Sequence, residues 1–102
     1  MIEFQYKAKC SNAISTLKNL LNVRSELGIP YQEIRIKISN LQSAEENNFQ
    51  GSPTILIDGI DIYTDSKPTE SNYSCRLYLF DGIHTGVIPP EFIREKILLY
   101  RK

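Results

Sequence analysis

Residues 49–57 read FQGSPTILI, and the proline at position 53 stands at the beginning of a run that is typical of a buried strand. From Thr54 onward the run is apolar or β-branched on both faces, as expected of a central strand. Proline has no N–H to donate to a neighbouring strand, so it is confined to edges, bulges and first positions. Pro53 therefore predicts the start of a strand, which continues to Asp58.

Hydrophobic periods and cap residues indicate further elements before this strand. The pattern predicts a strand over 2–6, a helix that starts at Ser11 or Asn12 and ends at Gly28, a strand over 31–38, and a short helix after Ser39 and Asn40. The apolar face of the long helix is expected to include Ile14 and Leu20.

Turn residues organise the remainder of the chain. Asp58-Gly59 predicts a hairpin into residues 60–63, a polar loop covers 64–74, a further strand covers 75–80, and Pro90 starts a terminal helix. A strand–helix–strand start requires a parallel crossover, whereas a hairpin requires antiparallel pairing. We therefore predict an α/β fold with a mixed central sheet flanked by helices.

Length and composition exclude several classes of protein. The 102 residues suffice for one core and are too few for two ordinary domains, so residues 1–102 are predicted to form a single domain. Twelve Lys+Arg balance 12 Asp+Glu, and this neutrality disfavours nucleic acid as a partner. Because a secretory signal and an apolar run of membrane-spanning length are both missing, we expect a cytoplasmic protein with no membrane partner. The oligomeric state is left open.

Three features along nearly the whole chain resemble the thioredoxin-like fold. They are a cysteine between the first strand and first helix (Cys10), GSPT before a central strand (residues 51–54), and a hairpin followed by a terminal helix. The implied order is β-α-β-α-β-β-α, with an extra strand or loop insertion before the last helix. GSPT and SCRLY (residues 74–78) more narrowly resemble a branch of small thioredoxin-like proteins, some of which are labelled as similar to alkylmercury lyases.

The resemblance has direct implications for residues 52–54. It implies that the Ser52–Pro53 peptide bond is cis and lies beside an active cysteine. It also implies that Ser52, Pro53 and Thr54 contact the substrate, because the backbone before the proline is held open for an extended peptide or a thiol.

Cys10 is the candidate nucleophile. It precedes the predicted helix start, where unpaired amide groups favour thiolate over thiol, as do Lys7 and Lys9. The alternative is a buried cysteine that fills a corner of the core. The Cys-x-x-Cys motif of thioredoxins is incomplete, because residues 10–13 read CSNA. Two routes remain open, a monothiol mechanism with an external thiol, or pairing of Cys10 with Cys75.

Cys75 is interpreted either as that resolving thiol or as a strand cysteine in the core, and the core position is favoured. A bridge to Cys10 requires Cα atoms within about 7 Å. A soft-metal or organomercurial role is a minor alternative, with the two thiols as ligands and Asp58, Asp61 or Asp65 as the acid.

No resident metal or cofactor is predicted. The single histidine, His84, and two distant cysteines fall short of a zinc site, and we expect His84 to be a solvated turn residue. The glycine-rich motifs that cradle phosphates do not occur.

Two functions from different classes follow. One is a thiol-disulfide oxidoreductase with Cys10 as nucleophile and a thiol- or disulfide-bearing small molecule or protein as partner. The other is a non-catalytic module whose cis-proline groove binds a peptide or protein. The missing second motif cysteine favours the module, whereas a cysteine at a helix start favours chemistry, so the sequence leaves open whether the chain is an enzyme.

Overall fold

The computed structural model describes residues 1–101, in which a four-stranded sheet is combined with three α-helices. The strands of this sheet are β1 (Ile2–Lys7), β2 (Ile34–Ser39), β3 (Thr54–Ile57) and β4 (Ile60–Asp61). Their lateral order is β2-β1-β3-β4, with β1 parallel to β2 and antiparallel to β3, and β3 antiparallel to β4. The predicted α/β class with a mixed sheet is therefore confirmed.

The α-helices are α1 (Ser11–Leu27), α2 (Leu41–Glu46) and α3 (Pro90–Tyr100). Gly28 ends α1 at a φ of 68°, and the Asn40 side chain caps α2 by accepting a hydrogen bond from the Ser43 N–H. The N-cap of α1 is Cys10 itself, one residue before Ser11 and two before Asn12, which were the expected caps. Within residues 1–101, every helix is too short or too polar to cross a bilayer.

The main core lies between the sheet and the layer formed by α1 and α3. The sheet contributes Ile2 and Phe4 of β1, whose register partners on β3 are Ile57 and Ile55. Because paired residues share a face, these four side chains form one apolar surface. The helices cover it with Ala13, Leu20, Val23, Ile93 and Ile97.

Three predicted strands are shorter than expected, and one of them is β4, which ends at Asp61 and does not extend to residue 63. Residues Tyr31–Glu33 form a 3-10 turn, so β2 begins only at Ile34. The strand expected over 75–80 is reduced to β5 (Tyr78–Phe80), which pairs with β6 (Ile83–Thr85) in a separate hairpin. Cys75 is exposed and lies outside β5, so its expected position as a core strand residue is wrong. The physical reason is that the chain around Cys75 bonds to Ser52 instead of joining a ladder.

Strand β2 forms one edge of the sheet. Ile36 and Ile38 are register partners of Phe4 and Tyr6, yet both isoleucines are about half exposed. Charged residues alternate with them along the strand, because Arg35 and Lys37 occupy the intervening positions.

Candidate dithiol site

The two cysteines meet although 65 positions separate them in sequence. Their Sγ atoms are 2.8 Å apart, and the Cys75 thiol donates a hydrogen bond to the Cys10 sulfur. Both are free thiols; the Cys10 residue is only 5% exposed, whereas Cys75 faces solvent. Because a disulfide bond is about 2.0 Å long, a small side-chain movement would join them. The pairing that the sequence left open is therefore geometrically available.

Hydrogen bonds to the Cys10 sulfur favour its ionised form. Burial by itself raises the pKa of the Cys10 thiol, but hydrogen bonding outweighs this effect and the pKa is lowered. The Cys75 thiol is the strongest donor, followed by the Ser52 side chain. The backbone N–H groups of Ala13 and Asn12 in the first turn of α1 act in the same direction. Cys10 is thus the thiol of the pair that ionises first.

Cys75 shows the opposite shift. Its hydrogen bond to Cys10 raises the pKa of the Cys75 thiol, and burial and the negative charge of Cys10 add to the rise. The positive charge of Lys7 acts in the other direction without reversing it. When the pair loses its first proton, Cys10 therefore becomes the thiolate and Cys75 keeps its proton.

The backbone of Ser52 positions the segment that carries Cys75. The Ser52 N–H donates to the carbonyl of Ser74 at 2.8 Å, and the Arg76 N–H donates to the carbonyl of Ser52 at 2.7 Å. These two bonds form a parallel bridge between Ser52 and Cys75. The buried Ser52 hydroxyl accepts a further bond from the Lys7 N–H at 2.9 Å, which joins the end of β1 to the same point.

The other residues predicted at this site surround the cis peptide. The Ser52–Pro53 bond is cis, as the resemblance implied. The Tyr78 hydroxyl donates to the Pro53 carbonyl at 2.5 Å, and burial raises the pKa of Tyr78, which keeps this donor protonated. The Thr54 hydroxyl donates to the Gly51 carbonyl at 2.6 Å. Ser52 therefore lies beside the thiols and Pro53 is its neighbour in the chain, whereas the Thr54 side chain faces a buried polar cluster.

That buried cluster contains an ion pair that the sequence reasoning missed. Arg76 Nη1 lies 2.6 Å from Asp61 Oδ2 and 3.1 Å from Thr54 Oγ1. The guanidinium also stacks 4.6 Å from the ring centroid of Tyr78. Gly51 has a φ of 116°, and a Cβ there would lie 3.0 Å from the Arg76 Cβ. The cluster fixes the residue that immediately follows Cys75.

A signal for this ion pair exists in the sequence. Asp61 interrupts the run IDIY, and Arg76 interrupts CRLYLF, so each is a single charge among mostly apolar residues. A charge that folds into such surroundings requires a partner of opposite sign. The two runs are expected to meet for that reason.

The residues considered for metal chemistry are dispersed or already paired. Within residues 1–101, no group of three or more His, Cys, Asp or Glu side chains is arranged to hold a metal ion. The three carboxylates considered as acids each form an ion pair: Asp58 with the Met1 amino group, Asp61 with Arg76, and Asp65 with Lys96. His84 is exposed on β6, not in a turn.

Comparisons of the chain with protein-family models, with curated proteins and with solved structures found no match. Function must therefore be inferred from the two thiols and the groups around them. Three properties bear on it: the short distance between the sulfurs, their opposite pKa shifts, and the engaged backbone of Ser52.

Proposed function

We propose that the chain is a thioredoxin-like thiol-disulfide oxidoreductase in which Cys10 and Cys75 alternate between dithiol and disulfide. The distance of 2.8 Å between the two sulfurs carries this proposal. The element order supports the thioredoxin-like assignment, because the β5–β6 hairpin is an insertion before the terminal helix of a β-α-β-α-β-β-α chain. A reducing cytoplasm would keep the resting pair as a dithiol.

The opposite pKa shifts assign different roles to the two thiols. The Cys10 thiolate attacks one sulfur of a disulfide RSSR, so that a mixed disulfide forms and RS⁻ leaves to take up a proton. Cys75 then gives up its proton and attacks the Cys10 sulfur, which releases the second RSH. The products are one intramolecular disulfide and two RSH, and the reverse reaction reduces the protein.

The alternatives are less well supported by the same contacts. A monothiol mechanism leaves the short approach of Cys75 without a role. A binding module that uses the groove at Ser52 requires its backbone groups to be free, but they bond to Ser74 and Arg76. Organomercurial cleavage requires an acid beside the sulfurs, and the carboxylates considered for it are ion-paired to cations.

Oxidation of the reduced protein by one equivalent of a small disulfide tests the proposal. We expect the protein to lose the mass of two hydrogen atoms, with a Cys10–Cys75 peptide found after proteolysis without reductant. Cys10→Ser should block the reaction, and Cys75→Ser should stop at the mixed disulfide, because the resolving thiol is missing. A wild-type protein that accumulates only mixed disulfide would contradict the pairing.

The pH dependence of alkylation tests the assigned charges. Iodoacetamide reacts with thiolate, so modification of Cys10, followed by mass spectrometry, should begin at lower pH than modification of Cys75. Cys75→Ala removes a hydrogen-bond donor, so the pKa of Cys10 should rise and its modification should require higher pH.

Cys75→Ser is the matched control for this measurement, because serine retains a donor at the same position. The pH dependence of Cys10 alkylation in this variant should stay closer to that of the wild type than it does in Cys75→Ala. Identical Cys10 profiles in the alanine and serine variants would show that Cys75 does not stabilise the thiolate.

A further inference from the structure

We propose that the oxidoreductase site accepts small apolar disulfides, which reach Cys10 through an adjacent cavity, and does not accept extended peptides at Ser52. This inference rests on the proposed function and specifies its substrate class. Two independent features support it. One is the cavity itself, and the other is that the backbone N–H and carbonyl of Ser52 already bond to Ser74 and Arg76.

The cavity has a volume of 360 Å³ and opens beside the beginning of α1. Cys10 forms part of its wall, and the remaining apolar wall is shared by β1 and α1: Phe4, Tyr6, Ala13, Ile14 and Leu17. Lys7, Lys9 and Ser11 supply polar groups at its lining. Its volume lies at the lower end of the range of about 300–1,000 Å³ that is typical of small-molecule sites. An aromatic or short alkyl substituent fits this space.

The backbone of Ser52, where an extended peptide would bind, is already bonded to the segment from Ser74 to Arg76. An extended peptide binds a strand edge through free backbone donors and acceptors. The Ser52 N–H and carbonyl bond instead to Ser74 and Arg76, at 2.8 and 2.7 Å. A peptide that displaced these bonds would also remove Cys75 from Cys10 and so abolish the resolving step.

Burial of Cys10 adds a size limit. The residue is 5% exposed, so a disulfide on a folded protein has little access to its sulfur. A small RSSR molecule can place one substituent R in the cavity with its sulfur against Cys10. The Cys10–SR bond then forms as the first RSH leaves, and Cys75 releases the second RSH.

Ile14 provides a variant that alters the cavity without disturbing the core. Its side chain lines the cavity and is 63% exposed, so Ile14→Gln should leave the fold unchanged. Ile83 on β6 has a similar exposure of 68% and lies outside the cavity lining. Ile83→Gln is therefore the matched control for the same loss of apolar surface.

The experiment compares rates of disulfide formation with aromatic dithiodipyridine, glutathione disulfide and an extended peptide that contains a cystine. We expect Ile14→Gln to slow the aromatic reaction about fivefold, since part of an apolar contact is lost. The glutathione rate should fall less than the aromatic rate, because the polar glutathione substituent gains little from the Ile14 side chain, and Ile83→Gln should change neither rate. The peptide should react no faster than glutathione disulfide, because the Ser52 backbone is engaged.

The outcomes separate the two proposals. The substrate class alone would be overturned if wild type and Ile14→Gln reacted at equal rates with the aromatic probe. It would also be overturned if the peptide reacted faster than the small disulfides. In both cases the Cys10–Cys75 disulfide would still form. If none of the probes yields that disulfide, the oxidoreductase proposal fails, and the substrate class fails with it.

Discussion

Replacing Asp61 with alanine is expected to lower the free energy of unfolding by about 3–5 kcal/mol, because it leaves a charged partner buried without compensation. Asp61 is 1% exposed, and its Oδ2 lies 2.6 Å from the largely buried Arg76 guanidinium. The Asp61 carboxylate also accepts a hydrogen bond from the Tyr63 N–H. A small domain has a total stability of about 5–15 kcal/mol, so urea unfolding should show a large decrease in midpoint.

Glu26→Ala is the matched control, because it removes a carboxylate that pairs with Arg94 on the protein surface. Exposed ion pairs contribute little, so this variant should unfold close to the wild-type midpoint. The Asp61 variant should also oxidise more slowly, since Arg76 adjoins Cys75 and is one of the residues that hold its segment. Similar midpoints for both variants would show that the buried pair does not anchor the site.

Formation of the Cys10–Cys75 disulfide is expected to raise the free energy of unfolding by about 4 kcal/mol in the chain-entropy model. The bond would join positions separated by 65 residues, which removes many conformations from the unfolded chain. The folded chain already holds the two sulfurs 2.8 Å apart, so little native structure needs to change.

Urea unfolding of the oxidised protein, compared with the reduced protein, measures this stabilisation. Cys75→Ser should show no difference between oxidising and reducing conditions, because it cannot close the loop. An oxidised wild type that unfolds at the same urea concentration as the reduced form would contradict the expected cross-link.

Local signals allowed much of the fold to be predicted. Gly28, Asn40 and Pro90 stand at helix ends where glycine, a capping side chain and proline are each favoured. The hairpin at 58–59 and the strand start after Pro53 are likewise determined by neighbouring residues. Cys10 at the start of α1 follows from the same reasoning, since it lies between a strand pattern and a helix pattern.

The position of Cys75 could not be predicted in this way, because its determinants are distant in sequence. Ser52 fixes the backbone on both sides of Cys75, and the ion pair between Asp61 and Arg76 spans 15 positions. Neither contact produces a hydrophobic periodicity in residues 64–77 from which it could be predicted.

The orientation of α1 depended on distant contacts as well. Ile14 was expected on the apolar face, but the helix buries Thr16, whose hydroxyl accepts a hydrogen bond from the Ile88 N–H at 3.1 Å. Hydrophobic periodicity cannot predict that a polar residue such as Thr16 is buried, because its hydroxyl bonds to an amide that is distant in sequence. This rotation leaves Ile14 on the cavity wall.

The open edge of β2 has a consequence for self-association. The free backbone groups along the outer edge of a strand can pair with another chain, and the exposed Ile36 and Ile38 add apolar surface to this edge. If two copies aligned antiparallel about Ile36, Arg35 of each would lie opposite Lys37 of the other. Repulsion between these cations would disfavour fibre-like stacking. The alternating charges therefore act as gatekeepers that allow an apolar edge to remain uncovered.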